Sequence, residues 1–318
     1  MRTTRCIAGI LAAGCVVPVF AQQWPAKPVR VIVPFGTGGG TDIQGRLLGK
    51  KFYESMGQTF IIDNKTGAGG TIGAEQAAKS PPDGYTLLFS TTSLAVTANL
   101  YSKAIDPVRE LAPVSWVSST PLVLAIHPSV PARTVKEFVA LAKARNGQMN
   151  AASNGSGTTS HLTIELLKQA TGVQVGHIPY KGGGPASIAV AAGEVDFVFT
   201  TILSAYPHVK TGRLHALAVT TAKRSNAAPD LPTMAETLPG FESDNWYAFF
   251  APAGTPKEII VKLNAEILKA LKSPDIIEYM KRDGAEPVGS TPEELGAYLA
   301  REVAKYAKLV KAANLKPE

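Results

Sequence analysis

The stretch VIVPFGTGGGTD, from Val31 to Asp42, runs from an apolar segment of strand length into a cluster of glycines and ends on Thr-Asp. The residues after it, up to Gly57, place hydrophobic side chains at helical spacing. Main chain without side chains can approach a ligand closely, and the first N–H groups of a helix lack partners inside the helix. The stretch therefore predicts a strand, a loop and a helix, with the loop placed to hold a ligand.

Strand and helix patterns alternate from Val29 to Thr92, which predicts a parallel sheet with right-handed crossovers and helices on its faces. The same order returns between residues 150 and 201, where the glycine loops are SNGSGTTSH and YKGGGPA. This internal repeat predicts an α/β protein with two similar lobes, each with a mainly parallel sheet. Ligands of open α/β sheets bind at the carboxyl ends of the strands, so we expect a cleft where those ends face each other.

The order of the segments predicts where the lobes begin and end. A proline-rich stretch from Asp106 to Ala132 contains two apolar runs and is interpreted as a crossing between the lobes. The last third of the chain has amphipathic helical patterns that we expect to pack against the first lobe. Lobe 1 is therefore predicted to be discontinuous, with residues 22–120 and 222–318, and lobe 2 to comprise residues 121–221.

The first 21 residues are predicted to be a secretory signal peptide. Arg2 and Arg5 precede an apolar run, and Ala21 provides a small residue at the cleavage site. The run is too short to span a membrane. The segment LAAGC also resembles a lipoprotein attachment site, so lipid anchoring at Cys15 is the alternative. Cys6 and Cys15 are the chain's two cysteines, which leaves the mature chain without a disulfide and favours a bacterial periplasm.

The composition argues against several other classes of protein. The formal net charge is +7, but the basic residues are scattered and form no stripe interleaved with aromatic side chains, so nucleic acid is not an expected partner. His127, His177, His208 and His215 are isolated in the sequence and lack metal-ligand spacing. Neither a metal nor a cofactor is therefore expected.

Two nucleotide-binding interpretations of GTGGGTD are rejected. Gly36 and Gly38 match the first two glycines of a dinucleotide fingerprint, but Thr41 stands at the third, and an exported protein meets little NAD. A phosphate P-loop requires Lys followed by Ser or Thr after the last glycine, and Thr41-Asp42 stands there instead.

A periplasmic hydrolase is the alternative function from another class. Ser156 lies between two glycines and His161 follows five residues later, so the pair is a candidate nucleophile and base. The Gly-x-Ser-x-Gly nucleophile elbow is absent, and no third group that would orient the histidine is identified. The competing interpretation is that Ser156 and Thr158 cap the following helix and that His161 has a structural role.

Capture of an anion by main-chain amides is the interpretation we adopt for the glycine loops. A helix N-terminus presents unpaired N–H groups and the positive end of the helix dipole, which suits a carboxylate. Hydroxyl groups of Thr37, Thr41, Ser156 and Thr158 add hydrogen-bond donors. Two such loops, one in each lobe, would hold an acid from both sides.

For several side chains the sequence leaves two possible roles open. Asp42 either caps its own helix and fixes the loop, or accepts a hydrogen bond from an ammonium group or a bound water. Lys65 and Lys181 either pair with ligand carboxylates or are exposed to solvent. Trp246 and Tyr247 either cover the cleft or fill the core.

The chain also resembles a known family in segments that follow the family's order. These segments are WPAKPVRVIVPFGTGGGTDIQGRLL, DNKTGAGGTIGAEQAAKSPPDGYTLL, SNGSGTTSHLTIELL, HIPYKGGGPA, LHALAVTTAKRS and APAGTP. They resemble the Bug-family receptors, the substrate-binding components of tripartite tricarboxylate transporters, over essentially the whole mature chain. The resemblance implies a two-lobed periplasmic binding protein of type II-like fold, monomeric and not an enzyme. It would capture a small carboxylic acid, such as a di- or tricarboxylate or an aromatic acid, and deliver it to membrane components of the transporter.

The resemblance also points to ligand-binding positions. The family holds a ligand carboxylate, partly through ordered waters, in two loops that correspond here to Phe35, Gly39, Thr41, Asp42, Ser153, Ser156, Thr158 and His161. The glycine loops, the strand ends and the second lysine add Gly38, Gly40, Thr91, Gly157 and Lys181 to the predicted set. Thr200 completes the set, and many relatives carry Asp at that position, so the neutral hydroxyl favours a plain organic acid over an amino acid.

Overall fold

The computed structural model describes residues 24–226, 228–312 and 315. The predicted signal peptide, residues 1–21, and the alternative lipid-attachment site at Cys15 lie outside the described residues. Within the described part of the chain, no helix combines the length and apolar character needed to cross a membrane.

The first predicted strands form a three-stranded parallel group. Its elements are β1 (Val29–Val33), α1 (Gly40–Met56), β2 (Phe60–Asn64), α2 (Thr71–Ala78), β3 (Thr86–Thr91) and α3 (Ser93–Leu100). β1 lies in the middle and is parallel to both neighbours, with Val31 opposite Ile62 on one side and Leu87 on the other. Helix α3 had no counterpart in the sequence prediction.

β1 is apolar on both of its faces because helices cover both. Val31 belongs to the core cluster that contains Leu48 and Phe52 of α1. Ile32, the next residue, points to the other face and joins the cluster that contains Ala77 of α2. A parallel strand buried on both faces is a near-continuous run of β-branched residues, which is what VRVIV is. This packing fixes the point where the chain leaves the sheet and enters the glycine loop.

The predicted crossing consists of the short helix α4 (Pro107–Glu110) and one 16-residue strand, β4 (Leu111–Ile126). Residues Leu111 to Pro121 pair with a later strand of the first sheet, and residues Leu122 to Ile126 pair with strands of the second. The register shifts after Pro113, as expected where a residue without an N–H interrupts a ladder. β4 therefore belongs to both sheets.

The second half of the chain repeats the arrangement of the first. Its elements are α5 (Val135–Arg145), β5 (Asn150–Ser153), α6 (Thr159–Thr171), β6 (Gly176–Pro179), α7 (Gly183–Ala191), β7 (Phe197–Thr201), α8 (Ile202–Lys210) and β8 (His215–Val219). β5 lies between β6 and β7 and is parallel to both, as β1 is to β2 and β3. The internal repeat thus corresponds to two parallel groups of the same order.

The last third adds β9 (Asp244–Pro252), α9 (Lys257–Ala270), α10 (Pro274–Asp283), β10 (Glu286–Pro287) and α11 (Pro292–Ala312). β9 lies antiparallel between β3 and β4, and the strand order is β2-β1-β3-β9-β4-β7-β5-β6. The fold is α/β as predicted; the parallel strands are present in both groups, and β4, β8, β9 and β10 make the sheet mixed. The lobe boundaries stay a prediction, which the change of partners of β4 after Pro121 supports.

Candidate functional site

A cavity lies between the two parallel groups, at the carboxyl ends of their strands. We call it the inner cavity. Its volume is about 30 Å³, room for about one or two water molecules. Part of the predicted set lines it: Phe35, Gly39, Gly40, Thr41, Thr91 and Thr158.

The N-termini of five helices, α1, α3, α6, α7 and α8, meet at the inner cavity. The first N–H groups of each helix have no partner within it, and the helix dipole places partial positive charge there. Among the described residues that line the inner cavity, none carries a charged side chain. The electrostatic attraction for an anion therefore comes from main-chain dipoles and hydroxyl groups.

Hydroxyl groups at these helix starts are held by bonds inside the protein. The Thr158 hydroxyl caps α6 by accepting from the His161 N–H at 3.4 Å, and it donates to the Gly155 carbonyl at 2.7 Å. The Thr159 hydroxyl donates to Oδ1 of Asn245 at 3.0 Å, which joins α6 to β9. These bonds fix the helix starts relative to each other, so the amides are positioned before a ligand arrives.

The first glycine loop is fixed by Asp42, which lies behind it. The Asp42 carboxylate accepts from the Gly38 N–H at 3.1 Å and from Nε of Arg46 at 3.1 Å, and it is 4% exposed. Burial raises the pKa of the Asp42 carboxyl, but hydrogen bonds, led by those of Arg46, outweigh it and hold the pKa below its usual range. The structure therefore favours the loop-fixing role of Asp42, although the capping residue of α1 is Gly39.

The second glycine loop is fixed in the same way by His161. Its Nδ1 accepts from the Gly157 N–H at 3.1 Å, four residues earlier, as Asp42 does from Gly38. Its Nε2 lies 3.7 Å from Oε1 of Glu165. Both ring nitrogens thus have partners other than Ser156, and the ring stacks on His177 with 3.9 Å between centroids. His161 is therefore placed as a support of the loop rather than as a general base for Ser156.

These contacts bear on two of the predicted ligand-binding residues, whose contact with a ligand stays a prediction. Gly38 and Gly157 were expected to direct their N–H groups at the ligand, but those groups are bonded to Asp42 and His161. The physical reason is that a side chain at the third helical position reaches back to the loop amide before it. The amides left for a ligand are those of the first helical turns, next to Gly39 and Gly40.

Other predicted residues lie next to the inner cavity rather than on its wall. Ser153 holds the second loop by accepting from the Gly155 N–H at 3.1 Å. Thr200 is fully buried behind Gly183, and its hydroxyl oxygen has no hydrogen-bond partner among the described residues. Ser156 and Lys181 line a second, neighbouring cavity.

Sequence reasoning missed several residues of the inner cavity. They include Ser93, Asn154, Thr159, Ser160, Thr201 and Ser204. Ser93, Thr159, Ser160 and Ser204 lie in the first turns of α3, α6 and α8, and Thr201 caps α8, so the repeat itself was a usable signal for them. Tyr247 is buried and lines the inner cavity, whereas Trp246 packs in the core. Both aromatic side chains thus belong to the core, and Tyr247 in addition lines the inner cavity.

The two halves contact each other through main chain beside the inner cavity. The Gly36 N–H donates to the Lys181 carbonyl at 2.9 Å, which joins the two glycine loops. A Cβ atom on Gly36 would overlap that carbonyl oxygen, and one on Gly69 would overlap the carbonyl oxygen of Ser156. These glycines therefore permit close approach of the two halves.

Comparison with known proteins agrees with this architecture. Residues 45–315 match the family model described as Tripartite tricarboxylate transporter family receptor. The chain is 38% identical over 324 residues to Protein BugT of Bordetella pertussis, covering 99% of each protein. The structure of R. palustris Rpa4515 with adipate matches with a TM-score of 0.89 and 35% identity, over 93% of this chain and 100% of that one. MatC from Rhodopseudomonas palustris with bound malate matches with a TM-score of 0.85 and 32% identity, over 90% of this chain and 100% of that one. The resemblance found in the sequence is confirmed, and the chain belongs to the receptor family of tripartite tricarboxylate transporters.

Proposed function

We propose that this chain is a periplasmic receptor that binds a small carboxylic acid in the inner cavity and delivers it to membrane components of a tripartite tricarboxylate-type transporter. The observation that carries the proposal is the meeting of five helix N-termini in a cavity whose described lining has no charged side chain. Adipate and malate in the two related structures are small carboxylates and support the ligand class.

The energetics of such a site favour a carboxylate without an arginine or lysine in the inner cavity. Each hydrogen bond from an amide or hydroxyl to a carboxylate contributes about 1.5–3 kcal/mol. Three or four of them offset an association cost of roughly 4–15 kcal/mol when apolar contacts with Phe35 and Tyr247 are added. A neutral ligand of the same shape would gain less from the helix dipoles.

A receptor is favoured over the Ser156 hydrolase for two reasons. The family consists of solute-binding receptors. In addition, the ring nitrogens of His161 are directed to Gly157 and Glu165, so the proton acceptor that Ser156 would need is engaged elsewhere. Recovery of unchanged ligand after long incubation with the protein would agree with binding, and release of a new acid from an ester would contradict it.

The remaining parts of the proposal follow from the sequence. The predicted leader directs the chain to the periplasm, and the mature receptor is expected to be a monomer. Residues 22–120 with 222–318 form lobe 1, and residues 121–221 form lobe 2. The lobes close on the ligand by a hinge motion in β4 and β9.

Thermal unfolding of the purified mature chain tests the ligand class. Adipate, malate, citrate and benzoate are compared with adipamide, the uncharged diamide of adipic acid. A bound acid raises the melting temperature, because a ligand at 100 times its Kd stabilises the folded state by about 2.7 kcal/mol. The proposal is wrong if no acid raises the melting temperature, or if adipamide raises it as much as adipate does.

A further inference from the structure

His177 lies on β6 and contacts two side chains that hold the second glycine loop. Its Nε2 lies 2.6 Å from Oγ of Ser153, which is within hydrogen-bond distance. Its ring stacks on the ring of His161, with 3.9 Å between the centroids and 6° between the planes. His177 itself lines neither the inner cavity nor the neighbouring cavity. An effect of His177 on the site would therefore pass through these two side chains.

Two main-chain amides of the loop depend on those side chains. The Gly155 N–H donates to Oγ of Ser153 at 3.1 Å, and the Gly157 N–H donates to Nδ1 of His161 at 3.1 Å. A glycine-rich loop has many alternative conformations, so bonds of this kind decide how well it is ordered. The Gly155 carbonyl also accepts from the Thr158 hydroxyl, which caps α6. The loop therefore positions the first turn of α6 at the inner cavity.

The first half of the chain has a similar support from its own outer strand. Asn64 is the last residue of β2, and its Nδ2 donates to the Phe35 carbonyl at 2.9 Å. Its Oδ1 accepts from Nη2 of Arg46 at 3.1 Å, and Arg46 in turn pairs with Asp42. β2 and β6 are the two ends of the strand order, next to β1 and β5. In each half, therefore, the outermost strand supplies a side chain that helps to hold the glycine loop.

We infer that His177 is a positioning residue of the ligand site, although it lies outside the inner cavity. It holds Ser153 and His161 in place, and through them the second glycine loop and the start of α6. Without His177 the loop would occupy several conformations, and only the fraction in the native one could bind, which raises the apparent Kd. The effect on affinity rests on the proposed function, whereas the effect on the loop is measured without a ligand.

Hydrogen exchange of the ligand-free protein, read by mass spectrometry, tests the effect on the loop. In His177→Leu, residues 153–158 should exchange about three- to tenfold faster than in the wild type, as expected for the loss of one hydrogen bond. Residues 36–42, which form the loop of the first half, should exchange at the wild-type rate, because Asp42 still accepts from the Gly38 N–H.

Calorimetry with the acid that raises the wild-type melting temperature most tests the effect on affinity. Kd should rise about three- to tenfold in His177→Leu. His177→Gln places a polar group at the distance of Nε2, so it should keep the contact with Ser153 and bind within about twofold of the wild type. Rescue by glutamine would show that the hydrogen bond, rather than the volume of the side chain, is what the site needs.

His127→Leu is the matched control, because it removes the same kind of contact at another place. Nδ1 of His127 lies 2.7 Å from Oγ of Ser129. His127 follows the part of β4 that pairs with the start of β7, whereas the end of β7 reaches the inner cavity. This variant should change neither the exchange of residues 153–158 nor the affinity.

The outcomes separate this inference from the proposed function. Wild-type exchange of residues 153–158 in His177→Leu, an equal acceleration of exchange throughout the chain, or an equal loss of affinity in His177→Leu and His177→Gln would each overturn the role of His177. Faster exchange of the loop without a change in Kd would overturn it as well, since order in the loop would then not limit binding. Failure of the wild-type chain to bind any acid would overturn the proposed function, and the exchange of the loop would still decide whether His177 holds it.

Discussion

Replacement of Gly36 with alanine adds one methyl group at the place where the two halves touch. The new Cβ atom would overlap the carbonyl oxygen of Lys181, which belongs to the opposite half and is main chain. Gly36 does not have a left-handed φ, so alanine fits its own backbone there. The overlap therefore exists only while the two halves are in contact.

The size of the effect on ligand affinity follows from the interactions that are lost when the two glycine loops no longer fit together. The bond from the Gly36 N–H to the Lys181 carbonyl contributes about 0.5–1.5 kcal/mol. Relief of the overlap by movement of packed main chain costs about 1–3 kcal/mol more. The form in which the two glycine loops are in contact is thus destabilised by about 1.5–4.5 kcal/mol, and since each 1.4 kcal/mol is tenfold in affinity, Kd rises roughly 10- to 1,600-fold.

Calorimetry and small-angle scattering measure the two parts of this prediction. The ligand is the acid that gives the largest rise in melting temperature for the wild type. Gly36→Ala should bind it weakly, remain expanded in its presence, and keep the wild-type melting temperature in its absence. Gly184→Ala is the control at the same contact, because its Cβ atom would lie 3.5 Å from main-chain atoms of Thr37 and Gly38, an ordinary van der Waals distance.

Two results would refute the reasoning. Wild-type affinity in Gly36→Ala would mean that contact between the glycine loops is not needed for binding. A similar loss of affinity in Gly184→Ala would mean that any change at this contact is harmful, irrespective of the overlap.

Three further predictions concern side chains around the inner cavity. Asp42→Asn should lower the free energy of unfolding by about 1.5–3 kcal/mol at pH 7. Because folding lowers the pKa of Asp42, this difference from the wild type should shrink as the pH falls below about 4 and through the lowered pKa. A difference in melting temperature that does not vary with pH would contradict the prediction. His161→Asn keeps an acceptor near Gly157 and should retain ligand binding. His161→Leu leaves the Gly157 amide unpaired and should lose about 1–3 kcal/mol of stability. Equal unfolding curves for the two variants would argue against the bond. Thr200→Val should leave the free energy of unfolding, measured by urea titration, unchanged or raise it by up to about 1 kcal/mol. The reason is that the Thr200 hydroxyl is buried without a hydrogen-bond partner among the described residues. A clear fall in the free energy of unfolding would reveal a hydrogen bond there.

Much of the fold could be predicted because the local sequence preferences and the packing of the whole protein favour the same strands and helices. VRVIV is too short and too β-branched for a helix, and the glycines after it end the strand. The long crossing was harder to predict, because Pro113 and Pro121 argue against a central strand. The structure accommodates Pro113 with a register shift, a solution that depends on the partner strand β9 and is not visible in β4 alone.

Helix α8 and the hydrogen-bond partners of the loop amides are two features that could not be predicted from the sequence. α8 contains Pro207, which normally interrupts a helix, and its pattern spans only Ile202–Lys210. The sequence shows that Gly38 and Gly157 precede helices, but not that Asp42 and His161 reach back to them. Competition between a side chain and a ligand for the same N–H is decided by rotamers and burial, which depend on tertiary structure.

The two side chains that support the glycine loops, Asp42 and His161, differ in the charge of their partners. Asp42 is paired with a cation, Arg46, whereas His161 faces an anion, Glu165, so the same hydrogen bond is built with opposite charges in the two halves. A carboxylate held below its usual pKa keeps its lone pairs in mild acid. An exchange of the two supporting side chains between the halves would therefore also require an exchange of their partners, Arg46 and Glu165.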